Sequence, residues 1–420
     1  MNRILAAALA AAVCAPVAQA QSVPEKASEI GLTLQRALEL AGAASPNLEA
    51  AAAGGRAAEA QRRGAALRPN PSISIETENV VGSGGYRGFH AAETTVGLAL
   101  PVELGGKRSA RIAVTDSQVN RVRLETAVAR AELVLRVTQA FNRLAAAERH
   151  WAVAQDQLQI ANEGLRVARV RIRAGRASPI EEQRAGLARA NAETAAGRAE
   201  RDLILARGTL GRLIGREPGP IDLGWFERLG SLGPREPARA EGMLALALAE
   251  ADLAAAGAQL RLARSQRIPD VTVSAGARRL AATNDVAAVF GVSVPLPMFD
   301  NGRAGVDAAR ARREQAEASR RAALLEAQQA IASAEVDLAN AEANARTANG
   351  PALAAAAEAA RIARIGYREG KFGQLDLIEA ERTLAQTRAA AIDALAAHHD
   401  AEARLARLTA RAPLSTEDQP

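Results

Sequence analysis

Proline is missing from two long stretches of the chain, between Pro101 and Pro179 and between Pro351 and Pro413. A residue that has no amide hydrogen and clashes with the preceding turn is excluded from helix interiors, so its absence over such lengths marks these stretches as helical. From Lys107 to about Ala174 apolar residues recur at helical spacing, among them Val128, Leu133, Leu135, Val137 and Phe141, with arginine and glutamate between. At 1.5 Å per residue that helix reaches about 100 Å. Ordinary globular domains have no use for such a rod.

Composition narrows the choice further. Aromatic residues make up 2% of the chain and alanine dominates the apolar fraction. Side chains this small are expected to leave no thick core and to suit helices lying close together in a thin layer or tube. The formal charge is +6, with arginines interleaved among acids along the helices, which describes a solvated helical face and no nucleic-acid patch. Met1-Asn2-Arg3, an apolar run from Ile4 to Val17 and Ala18-Gln19-Ala20 describe a signal peptide over residues 1–20, so the mature chain is expected to begin at Gln21. Cys14, the single cysteine, falls inside that signal; lipidation there is the alternative reading, and the mature chain has no disulfide. No stretch approaches the roughly 20 apolar residues of a membrane-spanning helix.

The chain repeats itself. Val96-Gly97-Leu98-Ala99-Leu100-Pro101 is answered by Phe290-Gly291-Val292-Ser293-Val294-Pro295, and Arg166-Val167-Ala168-Arg169-Val170 with Gly175 is answered 195 positions later by Arg361-Ile362-Ala363-Arg364-Ile365 with Gly370. A duplication follows. The first repeat, 21–214, is expected to hold helices, strands at about 71–81 and 92–102, a long helix at about 106–174 and a return helix at about 179–214. A linker or equatorial segment at 215–237 leads to the second repeat, 238–411, with strands at about 270–279 and 286–296 and long helices over about 303–411, and residues 412–420 form a tail.

Each strand alternates an apolar with a polar face, as Ile73, Ile75 and Thr77 do with Ser74, Glu76 and Glu78. At about ten residues each has the length of a tilted transmembrane strand. A soluble hairpin shows the same alternation, but no bulky helix face is present to cover these strands. Four strands cannot close a barrel without edges, and lipid tolerates no edges, so the barrel must be completed by other copies. Residue patterns alone do not set their number.

The duplicated layout, Leu67-Arg68-Pro69-Asn70-Pro71 before the first strand, and Tyr367-Arg368-Glu369-Gly370 followed by Leu375-Asp376-Leu377-Ile378-Glu379-Ala380 resemble the TolC-like outer-membrane efflux family over nearly the whole mature chain. Glu78-Asn79, Gly82-Ser83-Gly84, Ala92-Glu93-Thr94-Thr95 and Glu103-Leu104-Gly105-Gly106-Lys107-Arg108 resemble its cobalt-zinc-cadmium branch. The resemblance implies a mostly α fold with transmembrane β, four strands per chain in a trimeric twelve-stranded barrel, continuing into a long periplasmic α-helical barrel. It also implies a homotrimer in the bacterial outer membrane, in contact with its lipid, a periplasmic adaptor and a proton-driven inner-membrane pump of the RND type. The function it implies is an exit duct that does no bond chemistry and holds no cofactor.

Candidate functional residues cluster at the two helical turns. Gly175 and Gly370 are flanked by cations and followed six residues later by Glu181 and Asp376, a pattern that also serves helix capping. By resemblance, the turns lie at the periplasmic tip, where Glu181, Asp376 and Glu379 match acidic positions and Tyr367 a gating tyrosine. Phe372 stands where a family arginine would latch the entrance, so Arg176 or Lys371 is expected to replace it. Gly175, Ser178, Pro179, Gly370 and Gly373 are candidate adaptor-docking positions. His398-His399, the only adjacent pair among four histidines, is expected to be structural or solvent-facing, because adjacent helical residues point about 100° apart. Two rival functions stand beside the metal duct: a channel for drugs or secreted polypeptide, and a periplasmic adaptor coiled coil without a pore.

Overall fold

The computed structural model describes residues 31–229 and 240–413. The signal peptide, with Cys14, and part of the linker and tail lie outside the described residues. In chain order the elements are α1 (Leu34–Ala44), α2 (Pro46–Ala65), β1 (Ser72–Glu78), β2 (Glu93–Val102), α3 (Lys107–Arg173), α4 (Pro179–Ile214), α5 (Leu244–Gln266), β3 (Val271–Leu280), β4 (Val286–Ser293), α6 (Arg303–Thr347), α7 (Leu353–Arg368) and α8 (Gln374–Leu408).

Local chemistry sets these boundaries. Ser45 ends α1 and begins α2, its Oγ accepting from the Leu48 N–H at 3.4 Å, with Pro46 in the first helical position where no amide is missed. β1 stops at Glu78, short of 81, because Asn79 turns the chain at φ +60°. β4 stops at Ser293, short of 296, where Pro295 offers the ladder no donor. The two halves are not copies of one another in their long helices. α3 runs unbroken for 67 residues, whereas α6 and α7 are separated by a wide turn over Ala348–Ala352, where Gly350 leaves helical geometry and Pro351 donates no hydrogen bond.

The four strands form one antiparallel sheet in the order β1-β2-β3-β4, so β2 and β3 join the two halves of the chain. Register puts Ile73, Leu98, Ala275 and Phe290 side by side on one face, with Leu100, Val273 and Val292 beside them. This face is uncovered: Ile73 is 75% exposed and Phe290 81%. The opposite face carries Ser74, Gly97 and Gly276 in one row and Glu76, Thr95 and Arg278 in the next. Close approach requires the glycines there, since a Cβ on Gly276 would lie 2.5 Å from the Val96 carbonyl oxygen. At the hairpin end Arg278 bridges Glu93 at 2.8 Å and Glu78 at 3.2 Å.

Helix packing changes character along the molecule. Toward the helical tips the contact between α3 and α4 is Leu165, Ala168 and Ala185, and that between α7 and α8 is Ala356, Ala360 and Leu384, a thin seam that alanine permits. Midway along α3 the expectation of no thick core fails. Phe141, Leu144, Leu210, Ile214, Ile221, Phe226 and Leu395 form one buried cluster, with Trp225 against Phe141 at 5.7 Å between ring centroids. Three of the ten aromatic residues, Phe141, Trp225 and Phe226, meet there, a grouping that total composition cannot reveal. Residues 215–229 are part of this core: Leu32 pairs with Ile221 as an isolated parallel bridge, and Phe226 is completely buried. Replacing Phe226 with alanine is expected to cost about 3–5 kcal/mol and to lower the thermal midpoint of the purified protein, measured by the loss of helical circular dichroism.

Candidate functional site

Two regions combine defined geometry with the sequence candidates: the collar where strands become helices, and the paired tips at the far end of the helices. In the collar, Gly105 and Gly106 both adopt φ +70°, which turns the chain from β2 into α3. A Cβ on Gly105 would strike Ile268, so glycine is required there by contact as well as by torsion. Lys107 Nζ lies 2.7 Å from Asp270 Oδ1, and the same oxygen accepts from the Leu104 N–H at 3.1 Å. Arg111 grips Glu103 with both terminal nitrogens and donates to the Leu67 carbonyl at 3.0 Å, while Arg108 donates to the Ala66 carbonyl at 2.8 Å. The Glu-Leu-Gly-Gly-Lys-Arg stretch is thus a clamp binding β2 and α3 to the end of α2 and the start of β3. Its side chains are committed to protein partners.

The hydrogen-bonded Arg111 guanidinium holds the Glu103 carboxyl below its ordinary range. For Asp270, burial opposes the charge, but Lys107 and the Leu104 N–H outweigh it and the net shift is also downward. A carboxylate with a lowered folded-state value adds stability that is complete above its ordinary value and lost as pH falls through the folded one.

At the tips, both glycine turns are built alike. After α3, the Arg176 N–H donates to the Arg171 carbonyl at 2.8 Å and the Gly175 N–H to Ile172 at 2.9 Å; after α7, Lys371 donates to Gly366 at 2.8 Å and Gly370 to Tyr367 at 3.2 Å. These paired bonds close a helix end around a left-handed residue, and Gly175 (φ +68°) and Gly370 (φ +75°) supply it. Pro179 then opens α4 and Gly373 precedes α8, where Asp376 Oδ2 accepts from the Gly373 N–H at 2.9 Å. The capping role read from the sequence for Asp376 is therefore present.

Other candidates meet across the two tips. The Arg171 guanidinium stacks on the Tyr367 ring at 4.7 Å, and Gln374 Nε2 donates to the Glu181 main-chain carbonyl at 3.1 Å. One carboxylate oxygen of Glu181 is sheltered from solvent without a hydrogen-bond partner. Lys371 pairs with Glu369 of its own turn at 2.7 Å. Among the described residues, neither Arg176 nor Lys371 pairs with Glu181, Asp376 or Glu379, all three of which the sequence singles out. Phe372 folds back onto α7, its ring filling the space that a Cβ on Gly366 would occupy. Ser178 and Glu379 remain exposed.

Sequence reasoning missed the ion pairs that tie each tip together. Arg169 meets Glu182 at 2.9 Å across α3 and α4, and Arg364 meets the buried Glu381 through two hydrogen bonds across α7 and α8. Arg169 and Arg364 are equivalent under the 195-residue repeat, which was the available signal. Their glutamates are not at equivalent spacing.

The profile described as Outer membrane efflux protein matches residues 37–216 and again residues 240–411. The cobalt-zinc-cadmium resistance protein CzcC of Cupriavidus metallidurans is 31% identical over 388 residues, covering 90% of this chain and 90% of that protein. The nickel and cobalt resistance protein CnrC of the same organism is 33% identical over 280 residues, 66% of each chain. The outer membrane protein VceC of Vibrio cholerae superposes with a TM-score of 0.74 at 21% identity, over 90% of this chain and 96% of that one. At the collar, glutamine in place of Glu103 is expected to flatten the fall in thermal midpoint that the wild type shows as pH drops below about 4.5, measured by scanning calorimetry over a pH series.

Proposed function

The chain belongs to the outer membrane efflux protein family, and on that premise we propose that it is the exit duct through which a tripartite, proton-driven pump expels divalent heavy-metal cations such as cobalt, zinc and cadmium. The observation that carries the duct is the open four-stranded sheet, apolar on one face and polar on the other, continuous at its collar with long paired helices. Three copies would close twelve strands into a barrel and the helices into a periplasmic tube, with the apolar face in outer-membrane lipid and the Arg278 face lining the lumen. Likeness to CzcC over 90% of the chain supports the cargo. The collar clamp gives cargo no free ligand, so selection belongs to the adaptor and the inner-membrane pump.

The tips form the periplasmic entrance in this reading. Glu181, Asp376 and Glu379 present carboxylates there, Tyr367 is fixed by Arg171, and the cations Arg176 and Lys371 stand exposed beside them. Pairing between these groups on neighbouring copies would hold the entrance shut, with Phe372 leaving the family's arginine latch to them. An adaptor that docks on Gly175, Ser178, Pro179, Gly370 and Gly373 would bias the tips toward an open state by binding it more tightly.

Deleting the gene is expected to sensitise cells to zinc, cadmium or cobalt salts while leaving tolerance of lipophilic drugs unchanged, read as minimum inhibitory concentrations. Sensitivity to drugs alone would transfer the cargo to another class. Reversing the charges of Glu181 and Asp376 is expected to raise resting conductance in planar bilayers several-fold, and unchanged conductance removes the proposed latch.

A further inference from the structure

Midway along the helices, α8 carries two adjacent histidines that the duct does not require. His398 and His399 are 2% and 8% exposed. Together with Glu402, one turn further on, they place three potential ligand atoms within 4.8 Å of one another. Neighbours on a helix diverge by about 100°, yet here the two imidazole rings fold toward each other, with centroids 5.2 Å apart.

The setting of His399 is specific. Its ring lies 4.7 Å from Trp225 and 5.6 Å from Phe226, centroid to centroid, which fixes its orientation. Its Nε2 lies 2.9 Å from the Phe226 carbonyl oxygen. A carbonyl can only accept, so Nε2 carries the proton, and in the neutral ring the lone pair sits on Nδ1. That nitrogen faces the Glu402 carboxylate at 3.8 Å. With the ring neutral, that nitrogen and the carboxylate present lone pairs that one cation can share. An imidazole whose outer N–H is held by a backbone carbonyl is also the arrangement that orients metal-binding histidines.

We propose that His398, His399 and Glu402 bind one divalent transition-metal ion of the zinc, cobalt or nickel type per chain. Two imidazole nitrogens and one carboxylate oxygen suit these ions and leave a fourth position for water. A tetrahedral site with bonds of about 2.0–2.1 Å needs ligand atoms roughly 3.3 Å apart; the half-exposed Glu402 can swing inward to close the difference. Access is open, because His399 and Glu402 line a groove of about 760 Å³ together with Asn142 and Trp225. Through the Phe226 carbonyl, the bound ion clamps α8 to residues 215–229. The site is independent of the cargo reading, since it lies in the wall of the molecule.

The test uses the full-length protein in detergent, stripped with a chelator and titrated with Zn²⁺ by calorimetry and with Co²⁺ by visible absorption. One saturable ion per chain is expected, with the intense d–d bands of four-coordinate Co²⁺ and a raised thermal midpoint. Affinity should fall roughly tenfold or more in E402Q and in H399Q, and stay unchanged in H150Q, whose imidazole meets Asp393 at the surface. E402Q keeps the test decisive if the buried H399Q fails to fold. Absence of saturable binding, retention of full affinity in E402Q, or loss in H150Q overturns the proposal.

Discussion

A sheet of four strands with two bare edges is the constraint from which the rest of this molecule follows. Each unpaired backbone amide or carbonyl costs several kcal/mol in hydrocarbon, and β1 and β4 each present a full row of them. Among the described residues, no strand pairs with either edge. The apolar face formed by Ile73, Leu98, Phe290 and their neighbours is equally uncovered. Assembly around an axis satisfies both demands together, pairing edge with edge and leaving the apolar face outward. The helices inherit that geometry, because the collar fixes α3 to the end of β2 through two left-handed glycines and a set of ion pairs.

Side-chain size then divides the helical part into two mechanical zones. Alanine seams at the tips let helices approach closely while burying little area, so each seam contributes little to stability. The Arg169–Glu182 and Arg364–Glu381 pairs tie the same seams electrostatically. In the middle of the molecule Phe141, Trp225, Phe226 and the surrounding leucines bury much larger surfaces and make a rigid belt. Helix pairs with a firmly packed middle and lightly held ends can change shape at their tips without losing the fold. The break at Gly350-Pro351, absent from α3, gives the second half a further point of bending.

The same division explains which residues are free for function. Collar residues are all engaged with protein groups, and the motif most suggestive of metal turns out to be a structural clamp. At the tips, Arg176, Lys371, Asp376 and Glu379 are exposed, charged and only partly paired within the chain. The histidine pair at the belt is the reverse of the collar case, expected from the sequence to be structural or solvent-facing and placed by the fold beside a carboxylate and a backbone carbonyl.

What the sequence determined by itself is the set of features carried by local chemistry. Missing prolines marked α3 and α8, alternation at period two marked both faces of the strands, and the glycines at 175 and 370 marked the turns, because each signal depends on neighbours along the chain. The collar depends instead on Asp270 meeting Lys107 across 163 residues, the tips on Arg171 reaching Tyr367, and the belt on Phe226 offering its carbonyl to His399. Contacts of that kind follow from the register of β2 against β3 and of α3 against α8. Side-chain pattern shows which face of an element is apolar, but tertiary packing alone decides which residue of a distant element stands opposite it.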